Sequence, residues 1–229
     1  MIILQKYDHL RTADFGWLHA HYHFSFANYH HPHWTSHGAL MVINDDIIAP
    51  QSGFDTHPHR DMEIITYVRE GTLTHRDSEG NSGTIEAGCM QVMSAGSGIY
   101  HSEHNQASTP ANIYQIWIQP KSVGVTPQWK THRLSETPVK EQLNLVVSNG
   151  EETPLCIHQD AKIYTGKLEA GTTIRQPIKD LAYVLTSKGS ISLNDVTAEK
   201  GDGVAIRNEQ LLHIEAHENS EVLLIEIPK

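Results

Sequence analysis

Glu70–His75 reads E-G-T-L-T-H and Ala87–Met93 reads A-G-C-M-Q-V-M. Far downstream, Lys188–Leu193 reads K-G-S-I-S-L and Lys200–Ile206 reads K-G-D-G-V-A-I. Both pairs share one plan: a glycine turn opens an alternating run, and a second glycine soon opens another. Glycine tolerates the positive φ of a tight turn, and strict alternation sends successive side chains to opposite faces of a strand. Two such passages in the same order predict an internal duplication of a small β-barrel.

The surrounding sequence supports that plan. Strands are predicted over Leu40–Val42, Met62–Val68, Gln91–Met93, Ile113–Ile118, Leu143–Val147, Lys162–Leu168, Ala182–Thr186, Ser190–Leu193 and Glu221–Ile227. These runs are short, rich in Val, Ile, Thr and Tyr, and bounded by Gly, Asn, Asp and Pro. Many short strands at regular spacing predict a sandwich or barrel. Helix is expected only in short pieces, such as part of Ser135–Gln142. Gln119–Pro138, with Pro120, Gly124, Pro127 and Pro138, reads as a connecting segment. The expected division is a barrel over 1–130 and a second over 131–229.

The chain has 229 residues, enough to bury a core in one or two domains. With 17 Lys and Arg against 27 Asp and Glu, its net charge is −10. That balance argues against nucleic-acid binding through phosphate contacts and against docking on anionic lipid. Two cysteines, Cys89 and Cys156, make no disulfide framework and suit a reducing compartment. The opening M-I-I-L-Q-K has too short an apolar run for a signal peptide, and no stretch has the roughly 18 apolar residues of a membrane helix. A soluble cytoplasmic protein is the expectation.

The chemistry gathers on histidine, of which there are 17. Thr56–Glu63 reads T-H-P-H-R-D-M-E. On an extended chain His57 and His59 point to one face, close enough for two imidazoles to meet one metal ion. Pro58 between them places this stretch at a strand end or sheet edge. Asp61 and Glu63 share their parity if the strand runs on regularly. Ser94–Asn105 reads S-A-G-S-G-I-Y-H-S-E-H-N, in which His101 and Glu103 share a face and His104 does not. Two such strands facing each other would offer three imidazoles and one carboxylate. Either Glu63 or Glu103 could supply that carboxylate. The non-metal role open to Glu63 is a hydrogen bond beside the site or an ion pair with Arg60 or Arg69. A further cluster, at positions 19, 21, 23, 30, 31, 33 and 37, is expected to line the mouth of the site in part and to hold no metal.

These two segments resemble the paired motifs of the cupin superfamily. Gly53, His57, His59, Glu63 and Gly71 match the first; Gly88, Gly96, His101 and Asn105 match the second. The spacing from Gly53 to His57 is shorter than the usual pattern, Ser94 stands where a proline is usual, and extra residues precede His101. Within the cupins, the chain is similar to the pirin family along its whole length. The segments that carry this are G-W-L-H-A-H-Y-H-F-S-F-A-N-Y from Gly16, I-N-D-D from Ile43, T-H-P-H-R-D-M-E-I-I-T-Y from Thr56, and M-S-A-G-S-G-I-Y-H-S-E from Met93.

The resemblance implies an all-β bicupin: two tandem antiparallel barrels of jelly-roll type. It implies that His57, His59, His101 and Glu103 bind one divalent transition metal, with Glu63 the second choice for the carboxylate. Fe(II) is the first expectation, with Ni, Cu, Co, Mn or Zn also compatible with this N/O donor set. For bacterial members it implies quercetin 2,3-dioxygenation: a planar flavonol is cleaved with O2, carbon monoxide is released, and Glu103 takes the proton. Phe54, Met93 and Ile116 are candidate pocket residues, although the substrate-binding set as a whole stays unassigned. The alternative implied by eukaryotic pirins is a metal- and redox-dependent regulator that binds a protein partner without turnover. A monomer is expected. In the second half, His213 and Glu215 repeat the H-x-E of the first, but Arg175 and Pro177 fall where His57 and His59 would be. That predicts a degenerate barrel without metal.

Overall fold

The computed structural model describes residues 1–150 and 152–228. Among them, the strands form four sheets, and the sheets fall into two matching sets. The first seven-stranded sheet runs in the order Gln128–Arg133, Cys89–Ser94, Glu63–Glu70, Ala111–Ile118, Leu40–Ile48, Leu18–Tyr22, Arg11–Asp14. The second runs Ile2–Gln5, Gly203–Ile206, Leu181–Lys188, Ser220–Ile227, Lys162–Leu168, Asn144–Ser148, Leu155–Cys156. Each faces a four-stranded sheet. One is ordered Ser52–His59, Ile99–Asn105, Thr72–Asp77, Ser82–Glu86; the other is ordered Thr173–Pro177, Leu211–Ala216, Ser190–Leu193, Val196–Glu199. Eight consecutive strands of the first half recur, in the same spatial order, in the second. The duplication expected from the glycine-turn pattern is therefore a property of the fold. All pairings are antiparallel except Asn144–Ser148 with Leu155–Cys156.

Period-2 alternation sorts the large sheets into two faces. In Ala111–Ile118, Ile113 packs inside the first barrel, while Tyr114, Ile116 and Ile118 face away from it. The outward residues of both large sheets meet in one core. Ile65, Val92, Tyr114 and Ile116 lie there with Ile163, Tyr183, Leu223 and Ile225 from the other half. The two barrels thus pack sheet on sheet. The second barrel encloses its own aliphatic cluster, including Val184, Ile191, Leu212 and Ile214. The first encloses smaller clusters around Val68 and Leu73 and around Ile64 and Met93, leaving room between them.

Two edges are exchanged. Ile2–Gln5 pairs with Gly203–Ile206 and so closes the sheet of the second half. Gln128–Arg133, inside the stretch read as a connection, pairs with Cys89–Ser94 and closes the sheet of the first. The connecting segment therefore carries a strand, which its prolines on either side disguise. The helix expected within Ser135–Gln142 does not form. Pro138 disfavours it, the Ser135 hydroxyl accepts a hydrogen bond from the Thr137 amide at 3.2 Å, and the Val139 amide is drawn to the Lys167 carbonyl at 2.8 Å. Among the described residues the sole helix is a single 3-10 turn, Tyr7–His9.

Candidate metal centre

The small sheet of the first barrel aims the histidines. In the pairing of Ile99–Asn105 with Ser52–His59, His101 lies opposite His57 and Ile99 opposite His59. The register then slips, so that Glu103 faces Phe54. This β-bulge inserts one residue into the Ser52–His59 strand and re-aims the side chains beside it. It turns Phe54 toward the imidazoles, with ring centroids 6.3 Å apart between Phe54 and His57. The strands close tightly beside it: a Cβ on Gly53 would lie 2.2 Å from the Glu103 carbonyl oxygen. Only glycine fits there.

Three imidazoles converge. Ring centroids are 4.8 Å apart for His57–His59, 4.5 Å for His57–His101 and 4.9 Å for His59–His101. One ring nitrogen from each lies within 4.8 Å of the other two. His57 Nδ1 is 2.7 Å from the Asp55 carbonyl oxygen, to which it can only donate, and that tautomer leaves Nε2 with its lone pair free. His101 is buried and neither of its ring nitrogens has a hydrogen-bond partner. Burial, reinforced by His101 and then His57, lowers the pKa of His59 to about 4. Burial, reinforced by His57 and then His75, lowers that of His101 to about 3. Both rings are neutral near pH 7, which is the form that ligates a cation. Two unpartnered, buried nitrogens on one ring are costly unless something absent from the protein chain satisfies them. The donor set fits a transition metal.

Glu103 is buried beside them. Its Oε2 accepts from Gln115 Nε2 at 2.8 Å, and its Oε1 accepts from Gln91 Nε2. The Thr66 hydroxyl lies 3.2 Å from Glu103 Oε1 and 2.9 Å from Gln115 Oε1, and its single proton serves one at a time. The carboxylate shares the cavity wall with His57 and His59, while its close grouping is with His101 and His75.

Glu63 takes no part in either grouping. Asp61 has a left-handed backbone, φ 48°, and its amide bonds the Gly96 carbonyl, so the chain turns between His59 and Glu63 and parity is not carried across. Glu63 thus shares the face of Ile65 and Tyr67, toward the other barrel, where its Oε2 accepts from Ser94 Oγ at 2.5 Å. Neither arginine pairs with it; Arg69 pairs with Asp45.

His75 was not singled out from the sequence. It is fully buried, its Nε2 lies 3.0 Å from Asp77 Oδ2, and its ring is 5.4 Å from that of His101. Trp129, from the strand in the connecting segment, stacks on it at 4.9 Å and 9°. The same indole donates to Gln91 Oε1 at 2.8 Å, and so fixes the amide that holds Glu103. The signal available was the shared parity of His75 and Asp77 in T-H-R-D.

A cavity of about 200 Å³ opens onto His57, His59 and Glu103. Phe54 and Trp117 contribute aromatic wall, and Trp117 meets His59 edge to face at 5.0 Å. Of the three residues expected to hold a substrate, only Phe54 lines it. Met93 packs with Ile64 and Ile99, and Ile116 faces the inter-barrel core because it has the parity opposite to Gln115 and Trp117. The N-terminal histidines scatter. His23 and His37 are buried at the seam between barrels, His21 stacks on Tyr7, and His30 lines a separate open groove. Among the described residues none of the seven joins a three-ligand group.

Comparison with known proteins identifies the family of this chain. Residues 5–118 match the Pirin family model, and residues 145–227 match that of the quercetinase C-terminal cupin domain. The chain belongs to the pirin family. Among its relatives is the quercetin 2,3-dioxygenase of Escherichia coli K12, 43% identical, with 100% of this chain and 99% of that protein covered. A pirin-like protein of Caulobacter vibrioides is 42% identical, with 99% of each covered. The crystal structure of YhhW from Escherichia coli superposes with a TM-score of 0.95 at 43% identity, covering 100% of this chain and 98% of that one. YhhW in complex with nickel(II) gives a TM-score of 0.93 at 42% identity, covering 100% and 99%. The pirin fold accords with the two-barrel expectation. Among the described residues no helix is long and apolar enough to cross a membrane.

Proposed function

We propose that this pirin is a metal-dependent dioxygenase that opens a flavonol of the quercetin type with O2 and releases carbon monoxide. The observation that carries the reading is the convergence of three imidazoles, one with both ring nitrogens unpartnered, at the wall of an aromatic-lined cavity. His57, His59, His101 and Glu103 would hold one divalent ion, Fe(II) in the first instance, with Ni, Cu, Co, Mn or Zn able to use the same donors. When bound, the ion supplies Lewis acidity that eases ionisation of the flavonol 3-hydroxyl, and an open coordination position. The metal site belongs to the barrel within 1–130, and the barrel within 131–229 is given none.

The protein's own groups then divide the work. Phe54 and Trp117 offer flat apolar faces to a planar ring system and keep water from it. Glu103 is the base: Oε2, with one hydrogen bond against two contacts at Oε1, is the atom on which a substrate proton would rest. Gln91, itself anchored by Trp129, and Gln115 hold that carboxylate in place before and after the transfer.

The test is turnover of quercetin by metal-loaded protein with carbon monoxide measured alongside. One carbon monoxide per flavonol consumed is expected. Glu103→Gln is expected to retain part of its metal and to lose activity by about 10²–10⁴-fold; full activity would remove Glu103 as the base. If no planar polyphenol turns over with any of these metals, the regulatory reading, a redox-sensitive binding protein with a protein partner, replaces this one.

A further inference from the structure

Among the described residues, three polar atoms in the cavity wall have no hydrogen-bond partner. They are Asn44 Oδ1, Asp46 Oδ1 and Trp117 Nε1, and none belongs to the metal-binding set. Asn44 is 5% exposed and Asp46 1% exposed, and both line the cavity that His57, His59 and Glu103 share. They sit side by side in the sheet. Asn44 is opposite Gln115 and Asp46 opposite Ile113 in the pairing of Leu40–Ile48 with Ala111–Ile118, and Trp117 follows Gln115 on the same face.

Folding gains nothing from such atoms. A buried polar group left unpaired destabilises the fold, and native proteins keep few of them. The next residues on the same face, Ile48 and Ile113, are aliphatic and belong to the core. The second barrel shows the alternative. Its corresponding strand pair sets Gly166 opposite Val222 and Tyr164 opposite Leu224, with Val222 and Leu224 in the aliphatic core. The first barrel instead leaves an acceptor, a carboxyl group and an indole N–H waiting in one wall.

We propose that Asn44, Asp46 and Trp117 form a recognition subsite for the peripheral oxygens of a polyhydroxylated aromatic ligand. The assignment rests on the flavonol reading of the metal centre and names which flavonols fit it. Asn44 Oδ1 accepts from a ring hydroxyl of the ligand. Trp117 Nε1 donates to a ligand oxygen. Asp46 Oδ1, buried and unpartnered in the same wall, accepts from a second ring hydroxyl. A planar aromatic that bears both hydroxyl donors and oxygen acceptors satisfies all three. A bare one leaves them unpaired and is disfavoured.

The experiment is anaerobic titration of the nickel-loaded protein with two ligands, so that binding is read without turnover. Quercetin carries ring hydroxyls; 3-hydroxyflavone keeps only the 3-hydroxyl and the 4-oxo group. Wild type is expected to prefer quercetin by about tenfold or more, and Asn44→Leu and Asp46→Leu each to erase about fivefold of that preference while leaving 3-hydroxyflavone within about twofold. Melting of the metal-free variants is the second readout. Replacing an unpaired polar group by a similarly sized apolar one should raise Tm by about 2–4 °C, the pattern of a residue kept for its ligand. Asp46→Asn serves as the isosteric control should a Leu variant not fold, and it is expected to reduce the quercetin preference too. An unchanged ligand ratio in all variants overturns the subsite even if quercetin binds. Lowered Tm in both Leu variants likewise overturns it, assigning the two residues to folding. Wild type that binds neither compound overturns the flavonol reading and this ligand class together.

Discussion

The two halves share one strand order and differ in what one sheet points inward. In the first, Ser52–His59 and Ile99–Asn105 direct His57, His59, His101 and Glu103 toward the barrel's interior. In the second, Thr173–Pro177 and Leu211–Ala216 direct Ile174, Gln176, Leu212 and Ile214 there. The register itself is retained: His213 lies opposite Arg175 as His101 lies opposite His57. Yet His213 and Glu215 face solvent. A one-residue change of phase moves every side chain of a strand to its other face. The first pairing contains a bulge and the second runs without one. One scaffold thus has two interiors: one barrel turns imidazoles and a carboxylate toward a cavity, and the other packs the corresponding positions with Leu and Ile.

The largest test of that contrast is to remove the H-x-E histidine from each half. His101→Ala should lose most bound metal, at least about tenfold by elemental analysis, since ligand-sphere losses run to 10–100-fold even for supporting residues. His213→Ala should leave metal content unchanged. Equal losses would break the comparison.

The converse test is made on stability. Leu212 is fully buried in the second barrel. Leu212→Ala should cost about 2–5 kcal/mol in urea unfolding of the metal-free protein, with metal stoichiometry retained once the variant is folded. A variant that folds normally and loses metal would show that the halves are not independent in this respect.

The smallest effect is at the seam. His23 is fully buried, its Nδ1 lies 2.9 Å from the Tyr183 hydroxyl, and Nε2 has no partner. Burial, with lesser contributions from His21 and Arg69, lowers its pKa to about 3. The unfolded chain takes up a proton near pH 6.5, whereas the folded chain does not until about pH 3. The contribution of this group to stability is therefore flat above pH 6.5 and falls as pH drops through that window, by at most about 1.4 kcal/mol per pH unit. His23→Gln should flatten the slope by that amount in unfolding curves taken from pH 7 to pH 4. An unaltered slope would place the acid sensitivity elsewhere.

Much of this was readable in advance, for definite reasons. Lys162–Leu168 and Ser190–Leu193 were placed to the residue, because turn-formers bound them sharply. Period 2 puts His57 and His59 on one face and His101 with Glu103 on another; that the two strands are neighbours is what the family resemblance implied. Glu63 stays open as a second choice in the sequence because alternation reaches it only across Asp61, whose positive φ no polar-apolar pattern reveals. Gln91, Gln115 and Thr66 read as ordinary polar residues in otherwise apolar strands. Their meeting at Glu103 depends on which strands become neighbours, and that is a long-range property. His213 and Glu215 show the opposite failing: the letters of a motif persisted after their facing had changed, and only the burial of Leu212 and Ile214 reveals it.

The exchanged edges bear on how the molecule is made. Ile2 cannot find Ile206 until the strands of both barrels that lie between them have been made. Until then its strand is an unsatisfied edge, and the sheet it will complete does not exist. Closure of that sheet therefore waits on the second barrel, however early its first strand is made. A fragment containing only the first half would lack a home for its leading strand, while one containing only the second would present a bare sheet margin open to self-association.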